Sequence, residues 1–269
     1  MENKNRYMNI MHMIGVVIIF FAVNVLSGLV YISFFSDLDS IVFAKLCYLP
    51  NFILIIALTV IYQKIICKST KQPLTPLPKK GHFDARYVLA GLIYLFIISV
   101  VLEPIQTFIG ADTDKYLTIY KSGEIWQNVL LTVIIAPIVE EIFFRGMILR
   151  GLLNRYSDRI SIILSALVFG VVHMSLVQLL PGFIMGLMLG YVYIRTKRSL
   201  STVITIHFLN NLMSYIFILY GFSDYNHIFE NMFIDKWMYY VVYVICLLFI
   251  GLMLFRVWNR QSINSELEK

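Results

Sequence analysis

The chain has 269 residues, of which 59% are hydrophobic, 15% aromatic and only 14% charged, and its mean hydropathy is +0.78. A soluble domain is about 45–50% apolar and about 25% charged, so no soluble core could hold this excess, and disorder, which needs low hydrophobicity and high charge, is excluded too. The net charge of +6 in such a chain belongs to cytoplasmic loops and does not imply nucleic acid.

Eight apolar helices are predicted. The first, residues 13–35, has no Asp, Glu, Lys or Arg and follows Lys4 and Arg6. That start resembles a signal peptide, but the apolar run is too long and lacks an A-x-A cleavage site, so it reads as a retained span. The second, 41–67, carries Lys45 and Lys64 near its ends, where they can snorkel. Residues 68–86, with Pro73, Pro76 and Pro78, form a cytoplasmic linker. The third helix, 87–109, has Glu103-Pro104 near its end. The fourth, 126–149, contains Glu140, Glu141 and Arg145. The fifth, 160–180, includes His173. The sixth, 182–194, has 13 residues, short for a hydrocarbon core of about 30 Å. Its Gly182, Gly186 and Gly190 recur every four residues and make a flat stripe where a neighbour can approach. The seventh, 200–222, holds His207 and Asn211. The eighth is 237–257.

With the N-terminus inside, the loops on that side hold sixteen Lys and Arg against three outside (Lys115, Lys121, Lys236). This is the bias of the positive-inside rule, and an error of one helix would destroy it. The expected architecture is an all-α polytopic helical membrane bundle of about eight transmembrane helices, both termini cytoplasmic. Residues 1–269 would form one integral membrane domain with a motif-bearing core at about 126–222. The partner implied is the lipid bilayer. Cys47, Cys67 and Cys246 lack metal-like spacing and read as buried small hydrophobes.

A charged group at mid-membrane costs about 2.5–3.5 kcal/mol on insertion scales, and the fourth helix carries three within six residues. Glu141 and Arg145 are i and i+4 and share a face, so they can pair. Glu140 points about 100° away without that partner and is a candidate general base. Pro137 removes a helix hydrogen bond nearby. A lone Glu–Arg pair is as readily a structural ion pair; the second glutamate, which packing does not require, favours function. His207 and Asn211 share one helical face and can point at one site. His227 and Asn231 repeat the spacing in a polar loop and rank below them; His12 and His82 fall at ends or in loops.

E-E-x-x-x-R on one span (Glu140, Glu141, Arg145), F-x-x-x-H on the next (Phe169, His173) and H-x-x-x-N two spans later (His207, Asn211) resembles the CPBP family, the intramembrane CAAX-type prenyl endopeptidases and the Abi or bacteriocin self-immunity proteins. The strings EEIFFRG and HFLNN resemble family members in detail, and the likeness covers roughly residues 127–215. It implies an intramembrane endopeptidase acting on a membrane-associated peptide or protein. Glu140 would deprotonate a water, His173 would position it or share its proton, and His207 and Asn211 would donate to the oxyanion. Glu141 and Arg145 would support the helix, and Phe169 would line the pocket. No Ser or Cys cluster suggests a covalent nucleophile.

The family is often called metalloprotease, yet a glutamate-activated water needs no metal. No cofactor is required by this reading; zinc stays an open ligand, and Glu140, His173 and His207 would hold it. The H-E-x-x-H signature is absent. Two other classes remain in competition: a non-catalytic membrane immunity or scaffold factor, and a transporter using the buried Glu and His as a proton relay. The composition looks bacterial, which implies the plasma membrane and makes a short peptide a better substrate than a prenyl protein. The closeness of Arg145 to Arg150 favours access from the cytoplasmic side.

Overall fold

The computed structural model describes residues 8–71, 81–109, 118, 122–219, 228–231 and 233–267, and every regular element among them is helical. Helices α1 (Ile10–Phe34) and α2 (Ser40–Ser69) form an antiparallel pair. Asn9 caps α1 by accepting from the His12 N–H at 2.8 Å. Asp39 caps α2 by accepting from the Ile41 and Val42 N–H groups. These side-chain oxygens satisfy backbone donors that a helix start leaves free. Then follow α3 (Ala85–Ile109), α4 (residues 125–152), α5 (Asp158–Val171), α6 (Leu176–Arg195), α7 (Leu200–Leu219), the short α8 (Ile228–Asn231) and α9 (Lys236–Leu267). Helix α4 is continuous but widens into π-helical turns at Val129–Ile135 and Phe144–Leu149.

Among the described residues, five helical stretches are long and apolar enough to cross a membrane: Ile10–Phe34, Ser40–Ser69, Ala85–Gln106, Gln178–Arg195 and Leu200–Leu219. The protein is a multi-pass helical membrane protein. The fourth predicted span is one continuous helix with two π-helical stretches, and the fifth and sixth have shifted boundaries. The chain reverses at residues 172–175, not at 181. Helix α5 therefore has 14 residues, and α6 has 20 rather than 13. Met174 turns the chain with a left-handed φ of 48°, and Pro181 is absorbed inside α6.

Glycine contact explains the early reversal. A Cβ on Gly186 would lie 2.8 Å from the Ala166 Cα, and one on Gly170 2.7 Å from the Leu179 carbonyl oxygen. Helices α5 and α6 thus touch backbone to backbone along the glycine stripe, as small residues permit in membranes.

Four hydrogen bonds identify the two ends of the bundle. At one end the Met8 N–H donates to the Gly151 carbonyl and the His82 N–H to the Thr196 carbonyl, each at 3.3 Å. At the other, Lys45 Nζ from the first turns of α2 donates to the Ser122 carbonyl at 2.6 Å and to Asn128 Oδ1 at 2.7 Å. Lys45 is thus held by protein at the start of α4. Of the linker, residues 72–80 lie outside the described residues; Gly81 beyond it has backbone of Ser199 within 2.4 Å of where a Cβ would stand.

Between α1, α2, α4 and α5 the core is aromatic. The rings of Phe20, Phe52 and Phe143 lie 6.0–6.4 Å apart, and Phe144 meets Phe169 edge-on at 4.9 Å. Such edge-to-face pairs add to the area they bury. Glu103, buried in α3, accepts from the Phe229 N–H at 2.7 Å and so anchors α8.

Candidate active site

The site is built on α4, and the irregular turns of that helix decide its shape. Pro137 has no N–H. The preceding Ala136 N–H reaches back five residues to the Leu131 carbonyl, so the Thr132 carbonyl has no helical donor to take. Asn211 of α7 supplies one, its Nδ2 donating to Thr132 O at 2.9 Å. A proline in a membrane helix is tolerated when a neighbouring side chain satisfies the freed carbonyl in this way. Asn211 therefore faces α4, as its spacing from His207 predicts.

One turn further, Glu141 and Arg145 lie wholly inside the protein, at 0% and 1% exposure. Arg145 Nη1 donates to Glu141 Oε1 at 2.7 Å, its Nη2 donates to the Gly186 carbonyl at 3.3 Å, and its guanidinium stands 4.6 Å from the centre of the Phe169 ring. His207 Nδ1 lies 2.8 Å from the same Glu141 oxygen. One carboxylate thus draws together α4, α6 and α7, with α5 stacked on the arginine. The predicted pair forms, and its contacts reach four helices.

Glu140 points elsewhere, as the 100° rotation predicts. Its Oε1 accepts from the Tyr48 hydroxyl of α2 at 2.7 Å, and its Oε2 is 3.8 Å from His207 Nε2. Glu140 and His173 both line a cavity of about 460 Å³ between α1, α2 and the α5–α6 turn, within the size range of ligand sites. His173 Nδ1 lies 2.7 Å from the Phe169 carbonyl. A carbonyl only accepts, so Nδ1 carries the hydrogen and Nε2 is left as an acceptor.

Phe169 departs from expectation. Like His207 and Asn211, it does not line the cavity; it is buried behind it, packed edge-on against His173 at 5.0 Å and His207 at 5.9 Å. Its burial, at 1% exposure, follows from its place between the arginine and the two imidazoles. Cys67 and Cys246 are buried as predicted, but Cys47 is half-buried in the cavity wall. His227 lies outside the described residues, as does the side chain of Asn231.

Tyr48 is absent from the sequence motifs. A tyrosine inside an apolar span carries no signal of its own partner, since Glu140 is 92 residues away in sequence. Among the described residues no three His, Cys, Asp or Glu side chains converge as a metal site. The Nδ1 atoms of both histidines are engaged with a carbonyl and a carboxylate. A histidine so held offers its Nε2 to any ligand, and Glu140, His173 and His207 are the residues that would hold a zinc ion.

Residues 122–213 match the family described as type II CAAX prenyl endopeptidase Rce1-like. The chain is 32% identical over 110 residues to a Bacillus subtilis (strain 168) protein named membrane peptidase YdiL, covering 41% of this chain and 42% of that one. It is 30% identical over 134 residues to the membrane-embedded CAAX protease MroQ of Staphylococcus aureus (strain USA300), covering 47% and 53%. The chain thus spans about half the length of the curated relatives it matches. No solved structure matches it significantly. The stretch that carries the whole site except Tyr48 is Rce1-like, similar in sequence to the type II CAAX prenyl endopeptidases.

Proposed function

We propose that this protein is an intramembrane endopeptidase that hydrolyses a peptide bond of a membrane-associated peptide or protein, with Glu140 activating the attacking water. The observation that carries the reading is the pairing of Glu140 and His173 on one cavity inside an apolar bundle, while the adjacent Glu141 is consumed by Arg145 and His207. Packing accounts for Glu141; it does not account for Glu140.

The groups divide the chemistry. Glu140 takes a proton from water, and the Tyr48 hydroxyl fixes the carboxylate's orientation. His173, with Nδ1–H held by the Phe169 carbonyl, presents Nε2 as a second acceptor for that water. An ionised Glu141 can only accept, so His207 carries its hydrogen on Nδ1. The proton taken by Glu140 passes to His207 Nε2, 3.8 Å away, whose N–H then donates to the tetrahedral oxyanion, and it leaves with the amine nitrogen as the C–N bond breaks. Asn211 uses one amide hydrogen on Thr132 and keeps the other for the oxyanion. Such fixed donors supply much of an acyl-transfer rate.

The test is mass spectrometry of peptides released by cells carrying wild type, Glu140→Gln or His173→Ala, with insertion checked by immunoblot of membranes. Each variant is expected to lower cleavage by about 100-fold or more, the scale of a lost general base. Unchanged peptide release in either variant removes the mechanism.

A further inference from the structure

The cavity has a direction, and it opposes the expectation of cytoplasmic access. Its walls on α1 are Asn24, Ser27, Gly28 and Tyr31, at i, i+3, i+4 and i+7. On α2 they run from Ser40 through Phe43, Cys47 and Tyr48 to Asn51. Both sets climb from mid-helix toward the α1–α2 turn. In the other direction Phe20, Phe52 and Phe144 line the floor. Beyond that floor Val16, Ile55 and Ile148 are each fully buried. The cavity therefore opens toward the end of the bundle that holds the α1–α2 turn and is sealed toward the end that holds Met8 and Gly151.

The α5–α6 turn gives a second, independent indication. Helix α5, with 14 residues, is about 21 Å long against a hydrocarbon thickness of about 30 Å. The turn at residues 172–175 therefore lies below the far membrane surface. Non-helical backbone at that depth is tolerated where it is buried or lines a water-filled space, and His173 and Met174 line this cavity.

We propose that the cavity admits an extended, uncharged peptide segment from the extracytoplasmic face, between α1 and α2. The proposal rests on the peptidase reading and adds the side of entry and the chemistry of the segment. The face follows from the loop charges, which put the α1–α2 turn outside. The chemistry follows from the walls: besides Glu140 and His173, the polar groups lining the cavity include Asn24, Ser27, Tyr31, Ser40 and Asn51, neutral amides and hydroxyls suited to backbone N–H and C=O groups. They offer a charged side chain no counter-ion. From Ser40 to Tyr48 the wall is about 12 Å long. An extended chain advances about 3.3 Å per residue, so the scissile bond lies about four residues inside the mouth.

The native Cys47 is a probe in the wall, and the test uses full-length protein with Cys67→Ala and Cys246→Ala. A membrane-impermeant maleimide is applied to intact cells and to inside-out vesicles, with Asp37→Cys reporting the face of the α1–α2 turn. Cys47 is expected to react at least about ten times faster from outside, the side of the accessible thiol, both with Glu140 and with Glu140→Gln. Because labelling needs no catalysis, sidedness and the peptidase reading fail separately. A Gly28→Trp variant, where a Cβ meets nothing within 4 Å, is expected to suppress both labelling and peptide release. Gly251→Trp, equally open but on α9, is expected to change neither. Labelling of Cys47 only from the cytoplasmic side, from neither side, or undiminished by Gly28→Trp overturns the proposal.

Discussion

Two adjacent glutamates on one helix turn meet different neighbours: Glu140 meets Tyr48 and the cavity, Glu141 the buried Arg145 and His207. Glu141 has no exposed surface and receives both Arg145 and His207 on one oxygen. Removing one member of such a set leaves an uncompensated buried charge, which costs about 3–5 kcal/mol. Arg145→Ala should therefore reduce the yield of folded protein and lower the melting temperature in detergent, as followed by fluorescence-detected size exclusion. Tyr48→Phe should behave differently. It removes one hydrogen bond to a carboxylate, about 1.5–3 kcal/mol, and leaves the ring packed against Phe52 at 5.1 Å. Its expected signature is a kcat lower by roughly 10- to 100-fold, with KM and melting temperature little changed. A proportional rise in KM instead would assign Tyr48 to substrate binding.

At the scale of elements, irregularity in α4 and intimacy between α5 and α6 position the site. Pro137 opens the α4 ladder, and the freed Thr132 carbonyl recruits Asn211 and with it α7. The glycine stripe brings α6 onto α5 so closely that the chain turns at His173 instead of continuing across the membrane. Gly186→Leu would drive a side chain into the Ala166 backbone, 2.8 Å from the first added carbon. Overpacking of this kind costs about 1–3 kcal/mol. The Gly186 carbonyl also holds Arg145, so the variant should lose activity and thermal stability together in a scan of purified protein. Gly28→Ala, with empty space around it, should keep or slightly raise stability, since alanine favours a helix by about 1 kcal/mol.

For the whole molecule the question is orientation. The contacts Met8–Gly151 and His82–Thr196 gather the basic loops at one end, and Lys45 with Ser122 and Asn128 marks the other. Reporter fusions test which end faces the cytoplasm. Alkaline phosphatase joined after residue 37 is expected to be active, and joined after residue 197 inactive, because the Lys and Arg excess is retained inside. The reverse pattern would invert the membrane sidedness of the cavity mouth.

Much of this was legible in the residues themselves. Hydropathy and loop charge determine a multi-pass helical bundle, since apolar runs of this length have no soluble alternative. Helical spacing determines that Glu141 meets Arg145 and that His207 and Asn211 share a face. These are local relations within one helix, where geometry is set by the 3.6-residue period. Contacts between helices far apart in sequence have no such period. Only the tertiary structure decided that Tyr48 holds Glu140, that Phe169 sits behind the cavity, and that α5 ends after 14 residues. It also decided that the cavity opens beside the α1–α2 turn, because an opening is a property of how helices pack and not of any one of them.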